Sequence, residues 1–287
     1  MTTIERHFVR TRSGRRHVAE AGSGPAVLLL HQTPRSWDEY RDLLPLLGRH
    51  VRAIALDTPG FGDSDPLPDG PPSIEAWAAA ALDLLDARGI DRAVVVGHHT
   101  GAVIALEMAA RAPERLPALV LSACPMVDAP RRAHHAGRRV VDEVERGPHG
   151  QHLGALWQAR ASFYPPDRPD LLERFVVDAL KAGDLAVEGH RVVNRYHMET
   201  RLPRVTCPTL VIDPLADPHA HPSAARIAAA IPGAQLVPIE GGMVPLPDQH
   251  PTAFAAAILD FLAAQRWTGD ALPPSAGDAL RSRHGQR

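Results

Sequence analysis

The chain reads as an α/β fold, a mostly parallel twisted sheet flanked by helices with a helical segment inserted late in the core. Three observations predict it. Val94-Val95-Val96 is an apolar run of buried-strand type, and through Gly97-His98-His99-Thr100-Gly101 it turns directly into a helical run reaching Arg111. Strand-like and helix-like segments alternate on either side of this stretch, an order that implies parallel strands with helices on both faces. Between about Pro125 and Arg204 the alternation stops, and helical patches such as Leu171 to Ala182 lie among charged and aromatic residues. The expected organisation is a core of residues 1–124 and 205–266, an inserted cap of residues 125–204 over the carboxyl ends of the strands, and a mobile tail of residues 267–287.

Each element has a local reason. Glu5 to Arg12 and Arg15 to Ala21 are short strands around the turn residues Ser13-Gly14, and Ala26 to Leu30 is an uninterrupted apolar strand ending in His31-Gln32-Thr33-Pro34. Ser36-Trp37-Asp38-Glu39 has capping-box spacing and opens a helix with Leu43, Leu44, Leu46 and Leu47 as its apolar face. Val51 to Leu56 is a strand closing in Asp57-Thr58-Pro59-Gly60-Phe61-Gly62-Asp63-Ser64. Ser73 caps a helix from Ile74 to about Arg88, with Gly89 as its stop. After the glycine-flanked turn come a strand from Leu116 to Ala123, a strand from Pro208 to Asp213, a helix across Ala224 to Ala230, a strand from Ala234 to Ile239 and a last helix from about Pro251 to Ala264.

A chain of 287 residues with 45% hydrophobic content buries a sizeable core. Its net charge of -2 leaves no electrostatic footprint for nucleic acid or an anionic membrane, so the expected partner is a small-molecule substrate. The first residues lack the apolar stretch of a signal peptide and no run approaches the ~20 apolar residues of a membrane helix, which predicts a soluble, cytoplasmic protein. Cys124 and Cys207 are too few for a disulfide framework and read as buried small hydrophobes. No Gly-x-Gly-x-x-Gly follows a strand, and His134, His135, His149, His152 and His190 of the insertion have no metal-ligand spacing. They read as solvated or structural, and no metal or other cofactor is expected. Assembly is left open, with a homodimer as one option.

A strand that turns through Gly-x-x-x-Gly into a helix has the build of a nucleophile elbow, in which the middle side chain stands above the sheet edge on strained backbone. Here that residue is His99. Together with the strand ending in His31, the Asp57 to Ser64 turn, the strand leading to Asp217, and Gly241-Gly242 near the end, this stretch makes the chain resemble the α/β-hydrolase superfamily from about Glu5 to Ala264. The resemblance implies a Ser, Asp, His triad in chain order. Carried over position by position, the nucleophile falls on His99, the acid on Asp217 and the general base on Met243. A thioether shuttles no protons at neutral pH, so the triad is atypical. Gln32 stands where a small oxyanion-loop residue is usual, and the backbone N–H of Thr100 is the second expected oxyanion donor.

An imidazole on the elbow reaches farther than a serine hydroxyl, and the expected arrangement is a direct His99–Asp217 contact in which the carboxylate fixes the ring's tautomer. His98 is expected to point aside and bond locally, and His31 to brace the oxyanion loop. Asp128 lies where some relatives place a substitute acid, His250 is a remote candidate for the missing base, and Asp217-Pro218-His219-Ala220-His221 offers a short metal-like spacing; each also has a plainer structural reading. The pocket is expected to be apolar, with Trp157, Phe163 and Tyr164 packing rather than recognising substrate. Three functions stay open: hydrolysis of a small, largely apolar ester, lactone or similar carbonyl compound with His99 as base or nucleophile, a lyase, isomerase or cyclase using the same dyad, and an inert ligand-binding relative. Dehalogenase and epoxide hydrolase readings rank low, because both need a carboxylate at the elbow.

Overall fold

A computed structural model describes residues 2–265 and residue 267. The expected tail therefore lies, Trp267 apart, outside the described residues. The sheet has eight strands: β1 (Glu5–Thr11), β2 (Gly14–Ala21), β3 (Ala26–Leu30), β4 (Arg52–Leu56), β5 (Val94–His98), β6 (Leu119–Ser122), β7 (Thr209–Pro214) and β8 (Gln235–Ile239). Their order is β1-β2-β4-β3-β5-β6-β7-β8, antiparallel where β2 meets β1 and β4 and parallel from β4 onward. The helices are α1 (Leu44–Leu47), α2 (Ile74–Ala87), α3 (Thr100–Arg111), α4 (Ala129–His135), α5 (Gln151–Ala161), α6 (Pro169–Ala182), α7 (Leu185–Arg195), α8 (His221–Ala230), α9 (Leu246–Gln249) and α10 (Pro251–Ala264).

Alternation along the central strands explains their unbroken apolar runs. Leu28, Leu30 and Val95 pack on one face with Trp77 of α2 and Ile104 of α3. Val27, Leu29, Val94 and Val96 pack on the other with Leu44 of α1 and Phe254 and Ile258 of α10. Both faces are covered, so the side chains of β3 and of β5 up to Val96 are all apolar. A separate small core of Leu156, Tyr164, Leu171, Leu172, Phe175 and Ala179 joins α5 to α6. No helix among the described residues is long and apolar enough to cross a membrane.

One helix start departs from expectation. Ser36 does cap, accepting from the Asp38 N–H, but the turn it opens is a 3-10 turn of Trp37–Tyr40, and α1 follows only at Leu44. Glu39 does not reach back to complete a capping box. Its carboxylate is fully buried and accepts from the Gln32 main-chain N–H (2.9 Å) and the Gln32 side-chain amide (2.5 Å). The tertiary contact with the loop after β3 outcompetes the local one.

Candidate active site

β5 ends at His98 and α3 begins at Thr100, so the chain reverses within one residue. His99 takes φ 45° and ψ −109°, a region that non-glycine residues rarely enter. Its N–H donates to the Ser122 carbonyl (3.0 Å), and its own carbonyl accepts from Ala102 (3.0 Å) and Val103 (3.3 Å). The flanking glycines are a packing requirement. A Cβ on Gly97 would lie 2.1 Å from the Gly101 carbonyl oxygen, and one on Gly101 would lie 1.8 Å from the Leu30 carbonyl oxygen.

This turn aims the His99 ring at Asp217, in the loop after β7, with Nε2 2.8 Å from Oδ2. The ring N–H axis is not aligned on that oxygen, so the approach is a close charge contact, and neither atom has another hydrogen-bond partner. The second carboxylate oxygen accepts from the main-chain N–H groups of His219 (2.8 Å) and Ala220 (3.1 Å). Burial works to raise the Asp217 carboxyl, but His99 and the His219 N–H outweigh it and hold the group down at about 2. Asp217 is therefore an anion at neutral pH. His99, with its side chain 15% exposed, also lines a cavity of about 160 Å³ together with Gln32, Thr33, Thr100 and Val244.

The remaining candidate residues divide. His98 is fully buried; its Nε2–H donates to the Val244 carbonyl (2.8 Å), leaving Nδ1 to accept from the Ser122 hydroxyl (3.0 Å). Burial keeps its pKa well below the usual imidazole range, so it is a neutral strut. His31 donates from Nδ1 to the Gln32 carbonyl (2.8 Å) and accepts at Nε2 from the Thr58 N–H (2.9 Å), which ties the loop after β3 to the loop after β4. Asp128 caps α4 through the Arg131 N–H and pairs with Arg226, which leaves it no role as a substitute acid. His221 turns away to Asp213 (2.9 Å) while His219 stays beside Asp217 and stacks edge-on with Phe163, so the three residues do not converge as metal ligands.

Four expectations need correction. Gln32 is no oxyanion donor, because its N–H is already given to Glu39; the neighbouring Thr33 N–H, donating only at 3.3 Å to the Thr100 hydroxyl, is the loop donor that lines the cavity. Met243 does not face the cavity. Its N–H is tied to Gln249 (2.7 Å), and Val244 lines the cavity instead, so the place beside His99 is aliphatic. His135 and His190, expected to be solvated or structural, both line the cavity, the latter also held structurally by Asp142 at 2.7 Å. Nor is the cavity apolar, since Arg131, Arg139 and Arg160 line it beside Pro125, Val140, Val141 and Val193. Trp157, Phe163 and Tyr164 belong to the α5–α6 core, as expected.

Residues 27–257 match the Alpha/beta hydrolase family. The chain belongs to that family. Its fold is shared by solved structures. A hydrolase from Pseudomonas aeruginosa PA01 superposes with a TM-score of 0.75 at 25% identity, covering 90% of this chain and 98% of that one. The enol-lactonase from Burkholderia xenovorans LB400 shares the fold with a TM-score of 0.73 at 22% identity, over 90% of this chain and 100% of that one. Among curated relatives, Epoxide hydrolase 2 of Siraitia grosvenorii is 42% identical over 126 residues, which are 42% of this chain and 39% of that protein. The match thus spans well under half of that relative.

Proposed function

We propose that this family member hydrolyses a small carbonyl compound, an ester or lactone, with His99 as general base and Asp217 as its partner. The observation that carries the reading is the 2.8 Å approach of His99 Nε2 to an anionic, buried Asp217, with the His99 ring itself lining the cavity. With the Nε2 edge of the ring against the carboxylate, the tautomer protonated at Nε2 is the one that the charge favours, and it leaves the lone pair on Nδ1. It takes a proton from a water molecule as the water oxygen bonds to the carbonyl carbon. The resulting oxyanion is met by the Thr100 N–H, which as the first residue of α3 has no acceptor within its helix, and by the Thr33 N–H. The imidazolium, stabilised by Asp217, then returns its proton to the leaving alkoxide as the carbon–oxygen bond breaks. The helices α4 to α7 act as a cap over this reaction.

The names of relatives, a hydrolase and an enol-lactonase among them, support carbonyl hydrolysis. Likeness to an epoxide hydrolase does not carry over a carboxylate-nucleophile mechanism, because the elbow side chain here is an imidazole. The test is turnover of a panel of activated esters and lactones by wild type, His99→Ala and Asp217→Asn, each checked by thermal melt. Both folded variants are expected to lose about 100-fold or more, the scale of a general acid–base group. Turnover by the His99→Ala variant at the wild-type rate would reject the assignment.

A further inference from the structure

Part of the charge on the cavity wall has no counterion among the described residues. No Asp or Glu lines it among the described residues. Of its three arginines, Arg160 is already neutralised, its Nε bonded to Asp142 Oδ1 (2.7 Å) and its Nη2 to Asp142 Oδ2 (2.5 Å). Arg131 and Arg139 make no salt bridge among the described residues. Arg139 gives one terminal N–H to the Glu143 main-chain carbonyl (2.8 Å). Arg131 spends only its Nε–H, on Asn194 Oδ1 (3.1 Å), so both terminal nitrogens of its fork lack an acceptor among the described residues. That bond also orients Asn194, whose amide N–H groups are unclaimed and which lines the same cavity.

Arg131 is half-buried, and a guanidinium partly withdrawn from water without a counterion carries a desolvation cost. Burial lowers the Arg131 pKa, against only weaker opposing influences from Cys124 and Asp128. Burial and the Arg131 charge together push His135 down to about 4, so this histidine adds no counter-proton and no negative charge at neutral pH. Planar, paired donors in this geometry match a carboxylate. The aliphatic lining of Val140, Val141 and Val193 then leaves room for a short carbon chain or small ring between the cationic wall and His99.

We propose that the substrate of this cavity is itself an acid, whose carboxylate is seated by the Arg131 fork and the Asn194 amide on the inserted helices, opposite the reacting carbonyl at His99. This rests on the hydrolase reading for the position of the reacting group, whereas anion capture does not depend on it. The test is calorimetric binding of succinate, glutarate and adipate to the full chain, each against its uncharged diamide, with turnover of the corresponding monomethyl and dimethyl esters measured in parallel. At least one diacid is expected to bind tenfold or more tighter than its diamide. Arg131→Ala should erase that preference, and Arg131→Lys should retain part of it, with melting curves confirming that both variants are folded. His99→Ala should keep the preference while losing turnover.

If no diacid is favoured over its diamide, or if Arg131→Ala binds like wild type, the carboxylate seat is wrong even where esters are hydrolysed. If diacids bind in an Arg131-dependent way while none of the esters is turned over, the seat stands and the hydrolase reading falls.

Discussion

Glu39 shows how far a single buried group departs from its usual behaviour. Burial, opposed by the Arg35 charge, pushes its carboxyl up to about 8. The unfolded carboxyl ionises near 4.5, so between these values the folded state holds a proton that the unfolded state has lost, and stability falls as pH rises. Glu39→Gln removes this titration and keeps an acceptor for the Gln32 N–H. The melting temperature of the variant minus that of wild type should therefore climb from about pH 5 to pH 8 and level off above. A difference that stays flat across that window would show Glu39 to be ionised throughout. His99 is the other unusual residue, bearing positive φ with a full side chain, a cost that persists only where surrounding structure over-determines it. Its contact with Asp217 and the bonds of its peptide to Ser122 and α3 supply that determination.

Among the elements, the junction of β5, α3 and β3 tolerates the least. A methyl group at Gly101 would drive into the backbone of Leu30, which cannot move without breaking the β3–β5 ladder. Gly101→Ala is expected to cost more than about 4 kcal/mol and to leave little folded protein in a denaturation assay. The inserted helices are tied to the core by buried charge as well as by apolar packing. Arg35, fully buried in the loop before α1, bonds through Nε to Asp178 of α6 (2.8 Å) and through Nη1 to Asp248 of α9 (2.6 Å), and the Ser36 hydroxyl donates to Asp178 (2.9 Å). Asp178→Ala strands part of the Arg35 charge and should destabilise by about 3–5 kcal/mol in chemical unfolding. A loss of under about 1 kcal/mol would mean that the network relaxes around the gap. On the same side of the molecule α7 sits so close that a Cβ on Gly189 would lie 2.6 Å from the Thr33 side chain.

For the molecule as a whole, an elbow without a hydroxyl predicts no acyl-enzyme on that residue. A serine-directed phosphonate should leave activity unchanged over hours, and progressive inactivation with covalent mass gain would place the chemistry on another residue. The core was legible in the sequence because its signals are local: buried strands read as unbroken apolar runs such as Ala26 to Leu30, and the elbow announces itself by two glycines at fixed spacing. His99 and Asp217 followed from that frame. Arg131, Arg139 and Asn194 did not, because α4, the loop after it and α7 reach the cavity only through tertiary packing and none of them carries a spacing that marks a binding residue. Val244 rather than Met243 lines the cavity because a turn with Gly241 at φ 66° sets which side chain faces inward, and sequence order does not. Glu39 was misplaced for the same kind of reason, a distant loop winning its carboxylate. One consequence follows from the way the cavity is shared between two parts of the chain. His99 and Asp217 stand on core turns, and Arg131 and Arg139 stand on the segment between β6 and β7, so under the proposed function mutations in α4 or α7 retune which molecules are accepted while the proposed proton-moving pair stays in place. Lineages of this protein can diversify in diet without relearning their chemistry.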